Sequence, residues 1–211
     1  MCGIQMKWKQ PFYDDAEPIR LREPLAEFLG AIGEGEEFIF SYTDVVKLAG
    51  HSCPAVSGAY KITEKALKAL YGNEPPIRGE ISVMVLGNVD GGANGPISQV
   101  ISLITGAAPE TGFKGLGQRF GRKDKLIFDE RNEKPNTFIF TRDDNKKSVK
   151  ITYHPELLPQ DERMGNLFTK CIVETATKKQ QEEFKSVWQA RVKAVLFEEI
   201  KGLFEVEAIN K

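Results

Sequence analysis

The chain has 211 residues, 41% of them hydrophobic and 28% charged, with a formal net charge of −1. That is a globular composition, long enough for one large domain or a core with an appended lobe. Near-neutral charge without a dense basic stripe excludes a general pull toward nucleic acid or anionic membrane, and no apolar run reaches membrane-spanning length.

The opening "MCGIQMKWKQPFYDD" lacks the apolar centre of a signal peptide, and three scattered cysteines suit a reducing compartment, so a cytoplasmic location is expected. Residues 1–36 read as an irregular extension with one short helix. In "EPLAEFLGAI", Leu25, Phe28, Leu29 and Ile32 share a face, and "GEGEE" ends it. "FIFSY" (38–42) reads as a strand. "TDVVKLAG" (43–50) reads as a short helix with Thr43 or Asp44 as cap and Gly50 as stop. Pro54 suits a helical first turn, and the helix runs to Gly72 with Ile62, Ala66, Leu67 and Leu70 inward.

"EISVMVL" (80–86) is a buried strand by its β-branched content, and the glycine-rich turn "GNVDGGANGP" follows. "ISQVISLITG" (97–106) reads as a helix stopped by Gly106, with strand as the alternative. "AAPETGFKGLGQRFGRKDK" (107–125) is a long glycine-rich basic loop, and such loops inside compact domains usually carry function or motion. "KLIFDE", "NTFIFTRDD" and "KSVKITYH" read as a three-stranded meander. The last third turns helical over 161–176 and 177–200, the second helix opening at Thr177, and "LFEVEAI" (203–209) reads as a terminal strand. The expected fold is α+β, a mixed or antiparallel sheet packed with helices. Its expected parts are an extension (1–36), a core (37–160) and a C-terminal helical element (161–211).

The chemistry concentrates in "GHSCPAVSGAY" (50–60), which holds one of two histidines and one of three cysteines. A thiol at a helix entrance lies beside unpaired amides and the positive end of the helix dipole, which favour the thiolate. In extended backbone, residues i and i+2 point to one side, so His51 and Cys53 offer two borderline ligands to one ion. The same pair also reads as a base and a nucleophile, or as a packed turn. Further ligand candidates are Asp90 in the glycine-rich turn, His154 before a proline, and Cys171 in an apolar helical stretch. "MCGI" matches the start of class II glutamine amidotransferases, with Cys2 as nucleophile, but the match ends after those residues.

Gly50, His51, Cys53, Pro54, Gly58 and Tyr60, with the later Thr105–Gly106 step, resemble the FmdE family of formylmethanofuran dehydrogenase-associated proteins. The C-terminal "ATKKQQEEFKSVWQARVKAVL" is similar to the helical tail of bacterial members. The resemblance implies a metal-binding α+β protein, often a homodimer, with the His-x-Cys element in a metal site and zinc as the default ion. It implies an accessory or carrier role in C1 or metallocofactor metabolism. The alternatives are a metal-dependent enzyme for a small anionic or carbonyl-bearing substrate, and a ligand-binding regulatory module with a structural metal. Residues 54–170 contain no cysteine, so a cluster-type site is not expected, and a third ligand falls to Asp90, His154, Cys171, solvent or another chain. Tyr60 within the motif, and Lys114 and Arg119 in the basic loop, are the candidate ligand-binding residues. The loop is expected to border the His51–Cys53 pair and hold an anionic or carbonyl-bearing ligand.

Overall fold

The computed structural model describes residues 6–209; Cys2 and the amidotransferase-like opening lie outside them. Among the described residues the elements run β1 (Ile19–Arg22), α1 (Pro24–Phe28), β2 (Glu37–Phe40), α2 (Tyr42–Ala49), α3 (Pro54–Tyr71), β3 (Ile81–Val85), α4 (Asn94–Thr105), β4 (Leu126–Phe128), β5 (Thr137–Arg142), β6 (Ser148–Tyr153), α5 (Met164–Ile172), α6 (Lys178–Phe197) and β7 (Phe204–Ile209). The fold is α+β. No helix among the described residues is long and apolar enough to cross a membrane.

The main sheet has the order β4-β3-β5-β6-β7, with β4 parallel to β3 and all other pairs antiparallel. The expected meander therefore holds for β5–β6 but not for β4. The chain leaves β3, lays α4 against the core and must return in the same direction, which makes β4 the parallel partner of β3. β3, with Ile81, Val83 and Val85 all buried, takes the interior place between β4 and β5. Inward residues of β5 and β6 alternate along each strand, as suits a sheet with one covered face. α3 lies across this sheet and against α4 and α6, burying Val56, Ala59, Ile62, Ala66, Leu67 and Leu70.

Helix ends follow local chemistry. Ser41, not Thr43 or Asp44, caps α2: Ser41 Oγ accepts from the Asp44 amide and the Asp44 carboxylate accepts from the Ser41 amide. Thr177 and Gln180 build the same reciprocal box at the start of α6. Gly50 and Gly106 end α2 and α4 at φ 71° and 76°, where a side chain would be strained. β-branched α4 is a helix because its stripe of Ile97, Val100, Ile101 and Ile104 is buried.

The N-terminal segment departs from expectation. β1 pairs with β2, so the extension carries a strand, and α1 has only five residues. Phe28 and Leu29, on the apolar face of the α1 segment, are 60% and 63% exposed. Glu23 starts α1 by accepting from the Leu25 amide, and Gly30 at φ 73° turns the chain away one turn later. Glu23 itself is 2% exposed. Its two carboxylate oxygens accept from Arg78 Nη1 at 2.7 Å and Arg122 Nη2 at 2.5 Å. Arg78 also donates to the carbonyls of Leu103 and Ile104 at the end of α4. At the other edge of the sheet, β7 joins the C-terminal segment to β6 over its full length.

Two contacts in this frame generate predictions. Gly58 on α3 faces Tyr153, and a Cβ there would sit 2.5 Å from the ring carbon Cε1. Gly58→Ala should therefore destabilise by ~1–3 kcal/mol despite the better helix propensity of alanine. Urea unfolding reads this, and unchanged or raised stability would refute the packing argument.

Burial opposes ionisation of Glu23, but hydrogen bonds from Arg122 and Arg78 outweigh it and hold the carboxyl below its usual value of 4.5. A depressed folded-state value stabilises above the unfolded value, and the stabilisation is lost as pH falls through the folded one. Glu23→Gln should cost ~3–5 kcal/mol at pH 7, because two buried guanidiniums lose their counter-charge. The gap to wild type should narrow as pH falls below 4.5. A gap constant from neutral to acid pH would show that ion pairing is not its source.

Candidate functional site

The turn between α2 and α3 holds His51, Ser52 and Cys53. Gly50 reverses the chain at the end of α2, and Pro54 starts α3, so these residues cross between the two helices in a bent, partly extended path. Ser52 points inward and is buried. Its hydroxyl shares a 2.6 Å hydrogen bond with the buried Tyr42 hydroxyl, and its carbonyl accepts from Trp188 Nε1 of α6 at 2.9 Å. With Ser52 anchored, His51 is exposed and Cys53 half-buried.

His51 Nδ1 lies 2.9 Å from the Ala49 carbonyl. A carbonyl only accepts, so Nδ1 is the donor in this contact, and in a neutral ring the lone pair is then on Nε2. This is the arrangement that fixes a metal-ligating imidazole in one tautomer and orientation. Cys53 is the N-cap of α3, with φ −148° and ψ 170°; its side chain makes no capping hydrogen bond. Its thiol forms no disulfide. The Cys53 carbonyl accepts from both the amide and the hydroxyl of Ser57.

The surroundings of the thiol are aromatic and phenolic. Tyr153 donates to the Pro54 carbonyl at 3.0 Å. Burial chiefly pushes the Tyr42 and Tyr153 hydroxyls up, with nearby Cys53 adding to the effect on each. Both phenols therefore stay protonated as donors at neutral pH. Arg191 of α6 acts on Tyr153 in the opposite sense, and its Nε is buried without a hydrogen-bond partner among the described residues.

Residues that the sequence offered as further ligands stand apart from this pair. Asp90 is exposed in the turn after β3. His154 is held between carboxylates, with Nδ1 2.9 Å from Glu156 and Nε2 3.5 Å from Glu205. The Glu156 hydrogen bond is the main reason its pKa is raised, so the ring is biased toward a cation rather than a ligand. Cys171 lies on α5, which packs on α6. Among the described residues no three His, Cys, Asp or Glu side chains converge on a common metal position. His51 and Cys53 are thus two donor-type side chains on one turn, with no third joining them among the described residues. Imidazole nitrogen and thiolate sulfur fit zinc or a similar borderline ion, with the remaining positions left to solvent or another chain.

Tyr60 is buried, and its hydroxyl is used by the fold, donating toward the carbonyls of Glu17 at 2.7 Å and Phe40 at 3.0 Å. It fastens the N-terminal segment to α3. The basic loop lies at the far end of α3. Tyr153 meets the Pro54 end of that helix, whereas Arg142 meets the carbonyl of Leu70 at its other end. Gly79, beside the loop, donates to the carbonyl of Thr105 at the end of α4. An 18-residue helix spans about 27 Å. Within one chain, Lys114 and Arg119 therefore do not share a pocket with His51 and Cys53. They line a separate cavity of about 700 Å³ with Arg78 and Arg122.

Ser52, Tyr42 and Trp188 are the residues that sequence reasoning does not place here. Ser52 is the unspecified middle of His-x-Cys, and Trp188 reads only as one residue of an apolar helix face. No spacing rule connects a turn to a helix 136 positions later.

No curated protein matches this sequence. The family model described as "FmdE, Molybdenum formylmethanofuran dehydrogenase operon" matches residues 48–205, from the turn that carries His51 and Cys53 through the first residues of β7. That match covers most of the chain, and the chain belongs to the FmdE family.

Proposed function

We propose that this protein is a metal-binding accessory or carrier of the FmdE family, with His51 and Cys53 as its protein ligands to one divalent transition ion, zinc by default. Family membership suggests a role associated with formylmethanofuran dehydrogenase, in C1 or metallocofactor metabolism. The observation that carries the reading is the 2.9 Å contact of His51 Nδ1 with the Ala49 carbonyl. With Nδ1 tied to the Ala49 carbonyl, Nε2 is the free nitrogen of an exposed ring two residues from an unbridged thiol. A bound ion would bring Lewis acidity to this turn. The protein's own part is to orient the imidazole through Ala49, hold the turn through Ser52, and keep the two neighbouring phenols protonated.

Two protein ligands leave a coordination shell open, and an open shell exchanges metal more readily than a closed four-ligand one. This favours carriage over a structural ion. A homodimer belongs to the same reading: the hairpin of α5 and α6 leaves Phe168, Ile172 and Val173 exposed, and a second copy is one source of a further ligand.

Purified protein should contain a divalent transition metal by elemental analysis, and His51→Ala or Cys53→Ser should remove most of it. Zinc should also protect Cys53 from alkylation in wild type but not in His51→Ala. Equal metal content in wild type and both variants rules the site out. Light scattering at micromolar concentration should give a dimer of the 23.6 kDa chain, and a monomer removes the second copy as a ligand source.

A further inference from the structure

The end of the domain opposite His51 and Cys53 is built around Arg122. This side chain is 7% exposed, yet only Nη2 is paired, to Glu23; Nε and Nη1 are buried with no hydrogen-bond partner among the described residues. A buried donor left unmade is costly, so a guanidinium kept in this state calls for an acceptor. Two glycines shape its seat. A Cβ at Gly79 would lie 2.6 Å from Arg122 Cζ, and one at Gly106 would overlap Nη1. Both have positive φ, 86° and 76°. The seat therefore depends on glycine twice over, for conformation and for room.

Arg122 and Arg78 form a wall shared by two cavities. The first, of about 700 Å³, is also lined by Lys114, Arg119, Lys123 and Lys125. Most carboxylates around it already have partners. Asp143 accepts from Lys125 and Ser82, Asp144 pairs with Arg142, and Asp124 lies 3.6 Å from Lys123. Lys114 and Arg119 pair with no carboxylate among the described residues, and Arg119 is instead placed over the Phe28 and Phe120 rings. Glu80 is the remaining opposing charge. The second cavity, of about 460 Å³, is apolar, with Leu25, Leu29, Phe38 and Phe113 in its lining. The exposed Leu29 and Phe113 thus border a groove that ends on two arginines.

We propose that this end of the domain binds a small organic anion, its carboxylate or phosphate against Arg122 and Arg78 and its apolar body in the groove beside α1. Glu23 holds both guanidiniums in place while neutralising only one charge of the two. Lys114 and Arg119 on the basic loop reach the same anion from the rim. The site is separate from the metal pair and does not depend on it.

Titration calorimetry with acetate, hexanoate and inorganic phosphate tests this. Hexanoate should bind at least about tenfold more tightly than acetate, because only the alkyl chain differs. Phosphate binding more tightly than either carboxylate assigns the head position to phosphate esters; the reverse assigns it to carboxylates. The paired substitution Glu23→Gln with Arg122→Gln removes the Arg122 guanidinium together with its carboxylate partner, leaves Arg78 as the one cation of the seat, and should weaken binding at least about tenfold. Circular dichroism checks that this variant folds. If it does not, Lys114→Ala with Arg119→Ala, both on the surface loop, decides the matter by a loss of about threefold or more. No heat from any of the three anions at millimolar concentration overturns the site, as does undiminished binding in the folded variants. Hexanoate binding no better than acetate overturns the assignment of the groove.

Discussion

Glu23 shared between Arg78 and Arg122 is the interaction on which the distal half of the fold depends. The three residues come from the start of α1, the approach to β3 and the basic loop, which are far apart in sequence. None of these segments has a core of its own. α1 is a single turn with no fully buried residue, and the loop is held mainly by its own backbone bonds, such as Arg122 to the Phe113 carbonyl. The buried carboxylate joins them, and Arg78 extends the link to the last carbonyls of α4. Charges this deep are tolerated only when paired and hydrogen-bonded. Two cations on one anion leave the cluster net positive, which gives the site its electrostatic sign.

At the proximal end the constraint is different in kind. Ser52 is locked from both sides by neutral hydrogen bonds, to Tyr42 beneath and Trp188 above. Of its neighbours, His51 is turned outward, while Cys53 is half-buried against the core. Gly58 completes this end by letting the Tyr153 ring lie directly on α3, so that its hydroxyl reaches the Pro54 carbonyl. The turn is thus anchored at its buried middle residue and leaves His51 exposed beside a half-buried Cys53.

Much of this is legible in the sequence where the signal is local. Gly50, Pro54, Gly72 and Gly106 mark helix boundaries because a positive φ or a missing amide is a one-residue property. α3 and α6 show their buried faces through periodicity. The meander fails at its first strand because β4 follows a helical crossover and so pairs parallel with β3 instead of antiparallel with β5. The shared face of Phe28 and Leu29 does not reveal what it meets, because periodicity gives a face and not its partner; here the exposed Phe28 meets the loop residue Phe120. His51 and Cys53 are visible as rare residues at a helix entrance. Arg122 is not, since one more arginine in a basic loop carries no mark of burial.

The two ends are joined by α3, which begins just after Cys53 and finishes beneath the arginine cluster. The 18 residues of α3 give a span of about 27 Å from the His51–Cys53 turn to the far end of the helix. That distance is several Debye lengths at physiological salt, so direct charge–charge influence through solvent is negligible. Any influence of one end on the other must pass through packing, and the packed path is short: Tyr153 on Gly58 at one end and Arg142 on the Leu70 carbonyl at the other, both carried by the β5–β6 hairpin. The hairpin and the helix thus touch at both ends of the same span, which favours movement as one body. Within a single chain the fold keeps the His51–Cys53 turn and the arginine cluster apart.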